Sequence, residues 1–71
     1  MPKRTEVIKI IERAASARQM AFTVKRRGSN HDIYSLDGLT VPVGRHSEFT
    51  NRYAETIYKE CEAKLGKGWW R

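Results

Sequence analysis

The dipeptide Asp37-Gly38 constrains this chain more than any other feature. It separates two runs with strand character, "HDIYSL" (31–36) and "LTVPV" (39–43). Two-residue hairpin turns need positive φ at their central positions, and Asp-Gly is among the pairs that accept it. The two runs are therefore expected as antiparallel neighbours. A third run, "AFTVKR" (21–26), alternates Phe22 and Val24 with Thr23 and Lys25, and Gly28-Ser29-Asn30 marks the turn that follows it. Pro42 has no N–H to give to a ladder, so residues 39–43 should form an edge strand of a simple meander.

Helical periodicity flanks these runs. Val7, Ile10, Ile11 and Ala14 recur at helical spacing, with Thr5 as the expected cap and a fade near Ala17 to Gln19. A second helix is expected from Thr50 or Asn51 to Leu65. Ala54, Ile57, Tyr58, Cys61 and Leu65 form its apolar stripe, and Gly66 ends it. The expected class is α+β, in the order helix, three-stranded antiparallel sheet, helix. Each helix has one apolar face, so both should pack on one side of the sheet and leave the other side open. The tail "KGWWR" (67–71) is expected to be partly mobile. Trp69 and Trp70 are expected to fold back on the core, the alternative being a sticky surface for a partner chain or for bases.

Seventy-one residues make one domain, 1–71, in which 66–71 form a short tail. So short a chain buries only about 60% of its unfolded surface, which leaves little room for a deep pocket or a bound dinucleotide. The charge is +6, from 14 Lys and Arg against 8 Asp and Glu. Residues 1–36 carry most of the excess, through Lys3, Arg4, Lys9, Arg13, Arg18, Lys25, Arg26 and Arg27. Such a field favours a polyanionic partner over a plain solubilising role. One cysteine, Cys61, fits a reducing cytosol, and no apolar run nears the roughly 20 residues of a membrane span. The expectation is a cytoplasmic protein without membrane contact.

Little chemistry is open to these residues. His31, His46 and Cys61 are too isolated in sequence for a zinc site, so no metal and no cofactor are expected. Ser29 and His31 do not make a nucleophilic pair, and "GSN" lacks the glycine repeat of a phosphate cradle. Histidine and cations remain. If Tyr34 and Leu36 point into the core, alternation sends His31, Ile33 and Ser35 to the open face; if Ile33 points inward, His31 is a core histidine. Near an open face it would stand beside Lys25, Arg26, Arg27 and Arg45. One histidine amid cations is enough to cleave RNA, because the 2′-hydroxyl beside each phosphate is a built-in nucleophile. Imidazoles titrate near neutral pH and can act as base or acid, while Arg and Lys stabilise the developing charge.

The element order, the "GSNH" turn into the second strand and the "VPVGRH" end of the third resemble the HicA toxins of toxin–antitoxin modules. The resemblance runs from the first helix to about Leu65. It implies a double-stranded-RNA-binding-domain-like fold, an mRNA interferase activity and inhibition by a HicB-type antitoxin. The family's catalytic histidine maps onto His31, and its third-strand proline and histidine map onto Pro42 and His46. Family members often read Pro-Arg-His without a gap, whereas Val43 and Gly44 intervene here, and some lack a counterpart of Asn30.

The expected site is therefore His31, with His46 in the complementary proton role. Lys25, Arg26, Arg27, Gly28, Ser29, Asn30 and Arg45 are expected to contact RNA. A non-catalytic RNA-binding domain of the same fold is the alternative, and a small interaction module docking through its tryptophans is a third reading.

Overall fold

A computed structural model describes residues 1–71. The elements are α1 (Arg4–Ala17), β1 (Phe22–Arg27), β2 (His31–Leu36), β3 (Leu39–Gly44), α2 (Asn51–Glu60) and the single turn α3 (Glu62–Leu65). The sheet is antiparallel in the order β1-β2-β3, so β3, with Pro42, is an edge strand as its sequence requires. Asp37 (φ 49°) and Gly38 (φ 92°) make the two-residue turn and bring Leu36 opposite Leu39.

One face of the sheet carries the core. Asp32, Tyr34 and Leu36 of β2 and Val41 and Val43 of β3 are buried there. Val7, Ile11 and Ala15 of α1 and Ala54, Ile57 and Tyr58 of α2 pack against that same face in one apolar cluster. Phe22 of β1 stacks on Tyr34 at 4.8 Å between ring centroids. Both helices thus lie on one side, and His31, Ile33, Ser35, Thr40 and Pro42 look the other way.

α1 departs from the expected pattern in two respects. Thr5 does not cap it: the boundary residue is Lys3, without a side-chain cap. The preceding arm instead runs along residues 47–49, with Arg4 N–H donating to the Ser47 carbonyl (2.9 Å) and Phe49 N–H to the Pro2 carbonyl (2.9 Å). A backbone acceptor from outside the helix satisfies a first-turn N–H that a hydroxyl would otherwise take. The buried row is Val7, Ile11 and Ala15, while Ile10 is 40% exposed. The arm and an ion pair from Arg4 (below) fix the rotation of the helix and turn Ile10 outward. The helix ends as expected near Ala17. Gln19 N–H donates to the Ser16 carbonyl and Met20 N–H to the Ala15 carbonyl, with Gln19 in the left-handed region (φ 58°) that glycine usually fills.

α2 is capped by Thr50, whose hydroxyl accepts from Tyr53 N–H at 3.0 Å. The expected single helix to Leu65 is broken at Cys61, whose N–H is shared between the carbonyls of Ile57 and Tyr58. Nothing in the surrounding packing explains the break. The tail folds back: Trp69 Nε1 donates to the Tyr58 carbonyl (2.8 Å), Gly68 N–H donates to Glu62 Oε2 (2.8 Å), and Trp70 stacks on Tyr58.

Candidate functional site

His31 opens β2 and is exposed on the face away from the helices. Its backbone is clamped on two sides. Gly28 N–H donates to the His31 carbonyl at 3.0 Å, and a Cβ at Gly28 would sit 2.5 Å from that oxygen. No real Cβ contact is so short, so glycine at 28 is what lets the turn close onto His31. On the other side Arg45 N–H donates to the Asn30 carbonyl (3.2 Å) and Arg45 Nη1 to the Gly28 carbonyl (2.8 Å). Ser29 and Asn30 are exposed at the tip of this turn.

The four expected RNA-binding cations lie at this end of the sheet but form two distinct pairs. Lys25 and Arg26 line a depression on the open face with Ile33 and Thr40, and neither joins an ion pair. Arg27 pairs across the ladder with Asp32 on the inner side, where its Nη1 lies 3.5 Å from Asp32 Oδ2. Arg45 Nε is 3.6 Å from Asp32 Oδ1, beyond hydrogen-bond reach. Arg4 Nη2 donates to Asp32 Oδ2 at 2.8 Å, and Arg4 Nε donates to the Gly44 carbonyl at 2.9 Å.

Asp32 is 2% exposed. A buried carboxylate is costly unless it is paired, and three guanidiniums against one carboxylate leave two positive charges in excess. Arg27 and Arg45 remain 68% and 49% exposed in their side chains, so they can face a ligand while Asp32 orders them. Arg4 and Asp32 are site residues that sequence reasoning missed. Their one visible signal was a charged residue alternating in phase with Tyr34 and Leu36.

His46 is exposed just past β3, with its ring edge-on to Phe49 and Tyr53 at centroid distances of 6.0 and 6.1 Å. Gly44 links it to His31. Gly44 pairs with His31 across the ladder, and a Cβ on Gly44 would lie 2.9 Å from His46 Cε1 and 3.0 Å from the Tyr53 hydroxyl. Gly44 N–H donates to that hydroxyl at 2.9 Å. Tyr53, also missed from sequence, thus fixes the end of β3 opposite His31.

Comparison with protein-family models, curated proteins and solved structures returns no match. No helix is long and apolar enough to cross a membrane.

Proposed function

We propose that the chain is a toxin of the HicA type: a cytoplasmic endoribonuclease that cuts mRNA without a metal ion and is silenced by a HicB-type antitoxin. The observation that carries this reading is the exposed His31, at the end of a turn fixed by Gly28 and Arg45, on the sheet face that also carries the unpaired cations Lys25 and Arg26. The helix–sheet–helix order and the "GSNH" turn add the resemblance to that family and to its double-stranded-RNA-binding-domain-like fold.

The chemistry needs few groups. His31 takes the proton of the 2′-hydroxyl as O2′ attacks the adjacent phosphorus. The P–O5′ bond breaks, and the departing oxygen receives a proton from His46 or, in the reverse assignment, from His31. The products are a 2′,3′-cyclic phosphate and a 5′-hydroxyl. Lys25, Arg26 and the arginines gathered on Asp32 offset the charge of the crowded phosphorane. An inhibitor acts most simply by covering His31 and the Arg26–Asn30 turn, and an acidic protein surface suits that patch.

The test is cleavage of a defined RNA by wild type and His31→Ala, both shown to be folded, in excess EDTA. Loss of a general acid or base costs about a hundred- to ten-thousand-fold in rate. That loss is expected for His31→Ala, with RNA binding retained and cyclic-phosphate ends on the wild-type products. Equal cleavage by both proteins removes His31 from the mechanism. Binding without cleavage by wild type leaves a non-catalytic RNA-binding domain.

A further inference from the structure

The bulge in β1 does what an unbroken strand cannot. Successive residues of a regular strand point to opposite faces, so Lys25 and Arg26 would be divided between the two sides. The register shift between Val24 and Arg26 leaves Lys25 without a partner of its own. Both side chains then line one depression on the open face with Ile33 and Thr40. Its volume is about 400 Å³, within the roughly 300–1,000 Å³ of small-ligand sites. Ile33 supplies a half-buried apolar floor, and its cross-strand partner Pro42 extends it on the same face. An apolar floor beside two free cations suits a ligand with both a flat apolar surface and a negative charge. A nucleotide offers both, in its base and its phosphate.

The position relative to His31 narrows the ligand further. His31 and Ile33 are two residues apart on one face of β2, a separation of about 6.6 Å. A strand whose phosphate sits at His31 brings the adjoining nucleotide over the depression, and an unpaired base there is free to turn down onto Ile33. A duplex keeps its base faces inside its own stack and presents only edges and backbone, so it leaves this floor uncovered.

We infer that the depression framed by Lys25, Arg26, Ile33 and Thr40 is a subsite for the nucleotide next to the scissile phosphate, and that the substrate is single-stranded RNA. The inference rests on the RNA-cleaving reading above and supplies its substrate class. Steady-state cleavage of one synthetic RNA, presented alone or annealed to its complement, tests it. The single strand is expected to be cut with kcat/KM at least about tenfold above the duplex. Ile33→Ser should raise KM for the single strand by about tenfold with the loss falling on KM rather than kcat, the size of one lost aliphatic contact. Lys9→Ala, a cation on α1 away from the open face, should change neither constant. Duplex cut as fast as single strand, or an Ile33→Ser KM equal to that of wild type, overturns the subsite and leaves the nuclease reading standing. Failure of wild type to cut either form removes both. Should Ile33→Ser not fold, the strand comparison on wild type decides alone.

Discussion

Arg4 and Asp32 meet at 2.8 Å although 28 residues separate them in the chain. The pair ties the first turn of α1 to the inner side of β2, one residue from His31, and through Arg4 Nε also to the Gly44 carbonyl. Removing one partner of a buried pair strands the other charge and typically costs 3–5 kcal/mol. Arg27 and Arg45 lie farther away and compensate in part, so Arg4→Met is expected to lose about 3 kcal/mol. Urea unfolding followed by circular dichroism measures this. A loss under about 0.5 kcal/mol, the range of ordinary surface changes, would show that the other arginines carry the carboxylate.

Gly28 is the tightest steric point of the site. Gly28→Ala should keep both helices but push the His31 carbonyl away, since the added Cβ would start 2.5 Å from it. A displacement of about 1 Å in a reacting group can cost on the order of a hundredfold in rate. Cleavage should fall by about that factor while RNA affinity changes little. Full activity in Gly28→Ala would mean that the turn does not position His31.

The two pairs of cations should separate in a salt titration. Lys25→Ala and Arg26→Ala should each reduce the slope of log affinity against log salt by slightly less than about one, without loss of thermal stability. Arg45→Ala should lower the melting temperature as well, because Arg45 also holds the Gly28 carbonyl and approaches Asp32. Affinity that ignores salt in wild type would reduce this face to a solubilising surface.

Burial, and secondarily the charge of Glu60, pushes the Cys61 thiol up from 9.0 to about 12. At pH 8 the group is protonated and covered, so alkylation should proceed only through opening of the fold. The folded thiol keeps its proton up to about pH 12, while the unfolded one releases it near 9. The unfolded state therefore binds fewer protons in that window, and stability should decline as pH rises through it. Comparing pH–stability curves of wild type and Cys61→Ala isolates this contribution. Parallel curves, or rapid alkylation of native protein at pH 8, would contradict it.

Much of the fold was legible because local signals agreed with one another. Asp37-Gly38 set the hairpin, Pro42 set the edge, and the stripe from Ala54 to Leu65 is buried throughout. The orientation of His31 was not legible. Alternation that turns His31 outward also drives Asp32 into the core, which opposes the usual exclusion of carboxylates. That objection disappears only when Arg4 arrives from the start of the chain, a contact no local pattern encodes. The same long-range arm explains why Thr5 is not the cap and why Ile10 is exposed. The bulge at Lys25 is equally silent in sequence, since "TVKRR" carries no glycine or other mark of an extra residue, and the slip shows only in the pairing with β2. The division of the cations into a free pair and a tethered pair follows from these two features, so it too came from the structure.

Trp69 and Trp70, the chain's two indoles, sit together against Tyr58 on the helical side, away from the sheet face that bears His31. Intrinsic fluorescence therefore watches the docking of the tail and is blind to occupancy of the open sheet. An emission change during urea unfolding reports the loss of this aromatic cap. An emission change on adding a ligand to the folded protein signals a rearrangement that has crossed the whole thickness of the molecule.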